Sequence, residues 1–171
     1  EIIALDFKQV WEIQKDNNEG KYGDTASLLV RHSLRNTPKR IILGEIRDIV
    51  AFDVLDVSMT GHKGTLTTIQ SETPYKAIER FCTYAGGEGT PIDYQQCKKL
   101  FPEGFDLIIQ IEKVKVGGIE RRVISSITYV VGYGKEGLEK VIGRKKNEED
   151  IKEDERTKVY LQDIYYFDKI R

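Results

Sequence analysis

Apolar and polar positions along this chain follow two rhythms, and the change between them marks out its elements. Around residues 40–70 a short apolar run, Ile41-Ile42-Leu43, stops at Gly44-Glu45. The charged turn Arg47-Asp48 follows, then an apolar stretch of helical length from Ile49 to Met59, then a second short run, 65–70, opened by Gly61-His62-Lys63-Gly64. Strand, helix, strand in that order predicts a parallel pair joined by a right-handed crossover. An uninterrupted apolar strand is what two helix-covered faces require, so 41–43 is expected to be buried on both sides. In such sheets the ligand crevice lies beyond the carboxyl ends of the strands. Glu45 and Gln70 each follow a strand and are expected there. His62 precedes its strand, and whether its loop folds back to the same crevice is left open.

Upstream, residues 1–16 alternate enough for one or two short strands, with Trp11 partly buried. A polar loop over 17–23 leads to Asp24, which can cap a helix whose apolar side is Leu28, Leu29, Val30 and Leu34. Pro38 ends that helix near Asn36. Downstream, Thr73-Pro74 predicts an N-cap and first turn for a helix over 75–84, with Ile78, Phe81 and Cys82 on its buried side. Gly86, Gly87 and Gly89 follow a helix instead of a strand and are read as a stop and hinge, not a phosphate loop. A short helix is expected over 93–100.

From Phe105 the rhythm changes to that of long strands. The segments 105–116 and 119–131 flank Gly117-Gly118, a two-residue hairpin signal. That register sets Lys115 opposite Glu120, a modest gain, and Lys113 opposite Arg122, a modest loss. Residues 132–155 are rich in glycine and charge, Gly143-Arg144-Lys145-Lys146 preceding an acidic run, and read as a solvated, mobile loop. A last strand is expected over 159–167. Internal repeats are not evident.

Composition narrows the classes. The 171 residues suffice for one domain with a real core, 39% of them hydrophobic and 32% charged. A net charge of −1 provides no general attraction for nucleic acid, and the basic run at 143–146 has acidic neighbours and no interleaved aromatics. No apolar run approaches the roughly 18 residues that cross a bilayer. The two cysteines, Cys82 and Cys97, have no metal-ligand spacing and are expected to be reduced thiols.

From residue types alone, Glu45 is either half of an ion pair with Arg47 or a carboxylate available for acid–base work. His62 is either a surface or capping residue or a functional imidazole. Arg31, Arg35 and Arg40 lie around a helix whose exposed arginines would ordinarily only be solvated.

The runs RIILGEIRD (40–48), TGHKGTLTTIQSETPYKAIERF (60–81) and EGKYGDTASLLVRHSLRNTPKR (19–40) resemble the ATPases that power type II secretion, type IV pili, tight-adherence pili and type IV secretion. VYLQDIYYFD (159–168) is similar to a C-terminal strand of the tight-adherence branch. In that superfamily hhhhGE is an atypical Walker B motif and GHxGTxTTxH a histidine box. The resemblance implies an α/β fold: a RecA-like P-loop NTPase core without its P-loop strand and helix, continued by antiparallel C-terminal strands. It makes Glu45 the carboxylate that orients or deprotonates the attacking water, and His62 the group that couples the phosphate end of the nucleotide to domain motion. Glu1 matches the last acidic residue of the family's aspartate box. Arg47 and Arg35 become cations that meet phosphate, with Gly44, Gly61 and Gln70 beside the nucleotide. Two departures stand out. Gln70 replaces the second histidine of the box and cannot carry a charge, and Leu34-Arg35-Asn36-Thr37-Pro38-Lys39-Arg40 lacks one arginine of the usual LRMRPDR.

A P-loop, GxxxxGK[ST], occurs nowhere in the chain, and the sequence starts at Glu1 without a methionine. Residues 1–171 are therefore expected to be a single domain, the C-terminal part of the motor domain, inactive alone. ATP and Mg²⁺ are implied for the parent, with no metal site within these residues. The implied partners are further copies in a hexameric ring and membrane platform proteins of a secretion or pilus machine, at the cytoplasmic face of the membrane. Direct nucleic-acid contact is not expected. The alternatives are a non-catalytic homologue acting as a ring or docking component, and a DNA-translocating motor.

Overall fold

The computed structural model describes residues 9–12 and 26–166. Glu1, the Asp24 cap, the 17–23 loop, Phe167 and most of the N-terminal strand region lie outside the described residues. Of that region residues 9–12 are described; they form no strand, and Trp11 is 40% exposed instead of partly buried.

Helix α1 (Ala26–Leu34) turns Val30 and Leu34 toward the core and leaves Leu28 outside. Its last turn tightens through Arg35 N–H to His32 and Thr37 N–H to Leu34, after which Pro38 redirects the chain. Strand β1 (Ile42–Leu43) and strand β2 (Leu66–Thr67) run parallel, Ile42 beside Leu66 and Leu43 beside Thr67. Between them α2 (Val50–Met59) buries residues on nearly every side, including Val50, Ala51, Val54, Leu55 and Val57. That makes it the central helix of the core, as an apolar circumference requires.

The expectation that β1 is covered on both faces is corrected. Ile42 is 68% exposed and Leu66 58%, so among the described residues no helix covers that face of the two-stranded pair. The inner side is closed by Ile41 and Ile46.

Helices α3 (Pro74–Ala85) and α4 (Tyr94–Gly104) close the layer around α2. Thr73 caps α3, its hydroxyl accepting from Lys76 N–H at 3.2 Å, and Ala77, Ile78, Phe81, Cys82 and Ala85 form the buried stripe. Asp93 and Gln96 make a reciprocal capping box for α4. This helix runs four residues beyond the expected end at Leu100. Burial of Phe101 against Phe81 holds the last turn despite Pro102. Cys82 and Cys97 are free and fully buried where α3 meets α4; bonding to Cys97 and burial push the Cys82 thiol far above its ordinary range.

Three antiparallel strands follow in the order β3 (Leu107–Val116), β4 (Ile119–Tyr133), β5 (Val159–Tyr166). Both turn glycines have positive φ, 59° at Gly117 and 82° at Gly118, and the register sets Lys115 against Glu120 and Lys113 against Arg122, as the hairpin signal predicts. Ile108, Val130, Val159 and Leu161 pack inward on the core.

The segment 132–155 is not a mobile loop. It holds α5 (Gly134–Ile142), ended by left-handed Gly143, a 3-10 turn at Glu148–Asp150, and the short α6 (Glu153–Arg156). Leu138, Ile151 and Tyr160 form a second small core beneath them. Gly132, Gly134 and Gly137 are contact residues: a Cβ on Gly137 would lie 2.6 Å from the Gly132 carbonyl carbon and 2.9 Å from the Tyr160 ring.

One polar pair is built into the helical layer. Asp53 is 7% exposed in the first turn of α2, and its carboxylate accepts from Arg31 Nε at 2.8 Å. Arg31 itself is largely exposed, which weakens the pair. Arg31→Ala is expected to lower unfolding free energy by about 1 kcal/mol. A urea melt indistinguishable from wild type would show that the helix N-terminus alone satisfies Asp53.

Candidate functional site

The site begins with Ile46, which is 2% exposed. Its N–H continues the parallel ladder by donating to Thr68 C=O at 2.8 Å, and Thr68 Oγ1 donates to Gly44 C=O at 2.6 Å. With Ile46 pinned inward, the flanking Glu45 and Arg47 turn the other way and come side by side. Arg47 Nη2 lies 2.5 Å from Glu45 Oε2. From the turn after β2, Gln70 Nε2 donates to Glu45 Oε1 at 2.9 Å. Glu45, Arg47 and Gln70 thus meet beyond the carboxyl ends of the parallel strands, with Gly44 as the link to β1.

The hydrogen bond and charge of Arg47 hold the Glu45 carboxyl below the usual carboxylate range, with the Gln70 amide and the Arg80 charge adding to the effect. Glu45 raises Arg47 in return. The group is therefore ionised at neutral pH. Each oxygen has one partner, and a carboxylate has about four lone-pair sites, so a water molecule can still be accepted.

An open cleft of about 390 Å³ adjoins the cluster, lined by Gln70, Ser71, Glu72, Lys76, Glu79 and Arg80. Arg80 was not singled out by the sequence; it donates through Nη1 to Gln70 C=O at 3.0 Å and through Nε to Tyr84 Oη at 3.1 Å. Its only signal is the exposed four-residue spacing Lys76, Arg80, Tyr84 on α3, which says nothing about what that stripe faces. Asp48, adjacent in sequence, does not join the cluster: its carboxylate accepts Val50 N–H at 2.9 Å at the start of α2.

His62 lies elsewhere. Its Nδ1 is 2.6 Å from the carbonyl oxygen of Pro38, so Nδ1–H donates, and the residue sits where the strands begin. Gly61, with φ +102°, turns the chain from α2 into this loop. Arg35 is exposed just after α1, three residues before Pro38, and makes no side-chain hydrogen bond or ion pair among the described residues. The expected site residues therefore separate into two groups: Gly44, Glu45, Arg47 and Gln70 at the carboxyl ends, and Arg35, Gly61 and His62 at the amino ends. Among the described residues no three His, Cys, Asp or Glu side chains are grouped to hold a metal ion.

Both groups fall within the part of the chain that known proteins share. A family described as "Type II/IV secretion system protein" matches residues 3–92, just over half of the chain. The conjugal transfer protein TrbB of Rhizobium radiobacter is 34% identical over 105 residues, 61% of this chain and 30% of that protein. Protein VirB11 of Agrobacterium fabrum is 30% identical over 111 residues, 64% of this chain and 32% of its own length. Among solved structures, the VirB11 ATPase of the Brucella suis type IV secretion system, crystallised with sulphate, superposes with a TM-score of 0.55 at 28% identity, over 62% of this chain and 32% of that one. The matched region is about a third of each relative's length. The α/β core with its antiparallel C-terminal sheet agrees with that likeness. On this evidence the chain belongs to the type II/IV secretion system protein family.

Proposed function

We propose that these residues are the C-terminal part of the motor domain of a secretion ATPase, coupling ATP hydrolysis to protein secretion or pilus assembly. The observation that carries the reading is the ionised Glu45 at the carboxyl end of β1, oriented by Arg47 and Gln70 within the family-matched region. Hydrolysis of a terminal phosphate needs a carboxylate that orients or deprotonates the attacking water and cations that offset charge on the phosphoryl oxygens. Glu45 supplies the first. Arg47 supplies the second by exchanging its hold on Glu45 for a phosphate oxygen, since the guanidinium fork suits both.

The substrate is the magnesium complex of ATP. One carboxylate beside a guanidinium does not make a magnesium site, so the ion would come held by phosphate oxygens and water. Glu1, which the resemblance matches to the last acidic residue of the family's aspartate box, lies outside the described residues. His62 and Arg35, at the amino ends, are assigned to contacts with a neighbouring copy or with the phosphate end of a nucleotide bound between copies. A hexameric ring at the cytoplasmic face of a membrane, docked on platform proteins, is the assembly this implies. No described helix is long and apolar enough to cross a membrane.

One observation favours a non-catalytic ring or docking component: both oxygens of Glu45 are already bonded to side chains of this chain. Phosphate release by the full-length protein decides between them. Magnesium-dependent turnover is expected there and none from residues 1–171 alone. Steady turnover by 1–171, abolished by Glu45→Gln, would show that the P-loop is not needed; nucleotide bound without turnover by the full-length protein would establish the non-catalytic reading.

A further inference from the structure

We propose that Gln110 and Arg80 are positioning residues for Glu45, acting together through the turn Gln70–Ser71. The proposal rests on the reading of Glu45 given above. The turn that delivers the Gln70 amide to Glu45 is held at two successive carbonyls by side chains from two different elements. Arg80 on α3 donates to Gln70 C=O at 3.0 Å, and Gln110 on β3 donates through Nε2 to Ser71 C=O at 3.1 Å.

Each donor is itself fixed. The Arg80 guanidinium lies 5.6 Å from the centre of the Tyr84 ring and bonds its hydroxyl. Gln110 stands at the one irregularity of the β3–β4 ladder, where pairing passes from Gln110–Ser126 to Ile111–Ile124 and leaves Ser125 as the extra residue. Ser125 Oγ bonds Gln110 C=O at 3.4 Å. Bulges of this kind re-aim a side chain beside a site.

The position of Gln110 in the sheet supports the same role. Along β3, Ile109 and Ile111 face solvent while Ile108 faces the core. Gln110 is therefore a half-buried amide in an inward row, where an apolar side chain would bury more favourably. Its hydrogen bond across the 39-residue separation to Ser71 is what the amide provides and a hydrocarbon would not. The contact ties the C-terminal sheet to the carboxylate. A movement of that sheet would shift Ser71, then Gln70, then the partner of Glu45 Oε1.

The test is an NMR titration of the Glu45 carboxyl carbon in this chain, with the His62 imidazole at the other end of the strands as internal reference. The charges acting on Glu45 are those of Arg47 and Arg80. Gln110→Met keeps the volume, removes the donor and changes no charge, so any change at Glu45 must pass through the turn. It is expected to raise the Glu45 midpoint and shift the Gln70 side-chain amide signals, leaving His62 unmoved. Arg80→Gln is expected to raise the midpoint further, and Arg80→Lys to restore part of it. Glu45 and Gln70 signals unchanged in Gln110→Met would overturn the proposal, as would a His62 midpoint moving in step with Glu45, which marks general disruption. In the full-length protein, Gln110→Met is expected to lower kcat by up to about 100-fold with KM near wild type. A raised KM with kcat intact would make the residue a nucleotide contact instead. Titration needs no turnover, so a failure of the ATPase reading would show as full turnover in Glu45→Gln and would leave the titration result standing.

Discussion

Replacing Glu45 by glutamine in the full-length protein is expected to reduce ATP turnover by about 10²–10⁴-fold while leaving nucleotide affinity almost unchanged. The amide has nearly the shape of the carboxylate; its oxygen can accept from Arg47 while its NH2 faces Gln70, whose own side-chain amide can turn to present its oxygen, so the cluster keeps its geometry. What it loses is the negative charge that orients and activates water. Measuring kcat beside the dissociation constant of a fluorescent nucleotide separates the two effects. Equal losses in both would make Glu45 a structural residue. The pH dependence follows from the sign of the shift: with its pKa held down by Arg47, the carboxylate is charged throughout the neutral range. Its ion pair contributes to stability above the ordinary carboxylate range, and that contribution is lost as pH falls through the lowered pKa. An acid limb of turnover near pH 6–7 would therefore belong to another group.

Phe81→Ala is expected to cost about 3–5 kcal/mol, a large part of the roughly 5–15 kcal/mol that holds a domain together. Phe81 is 3% exposed, and its ring meets Phe101 and Phe105 edge-on, with centroids 5.3 Å away in both cases. The three rings join α3, the end of α4 and the chain entering β3. Removing the central one opens a cavity that no single backbone shift can close, since its walls belong to different elements. Urea denaturation should show a lower midpoint with an unchanged slope. A loss below about 1 kcal/mol would mean that Phe101 and Phe105 collapse together without it.

The parallel pair, the capped helices and the glycine hairpin were legible because each depends on local chemistry. Gly117-Gly118 sets its register through positive φ at two residues, and Thr73-Pro74 begins α3 whatever lies beyond it. Gln70 was legible in position and only partly in chemistry: standing where the pattern of the resembled histidine box has its second histidine, it proves to be a donor to Glu45. Residues 132–155 were misread because composition outweighed spacing. Gly132 and Gly137 look like loop residues in one dimension, yet their missing side chains let α5 lie against β4 and Tyr160. The exposure of Ile42 was hidden for the opposite reason, since an apolar run records what a strand can pack against but not whether a layer is present on that side. Arg80 had no local signal beyond its spacing on α3, and Gln110 had none; the partners that matter are backbone carbonyls, which every sequence has.

Folding should meet the carboxylate early and the last strand late. The ladder that fixes Glu45 registers Ile42 with Leu66 across a single helix, and β3 with β4 across two glycines, so both units close short loops at little entropic cost. Strand β5 must instead bring Tyr166 to Ser126 after α5, the 3-10 turn and α6 have formed between them. Contacts of that range slow the search for the native state. A chain emerging in order would carry a paired but open-edged hairpin until β5 arrives, and in that interval the unpaired side of β4 is the surface most in need of protection from other chains.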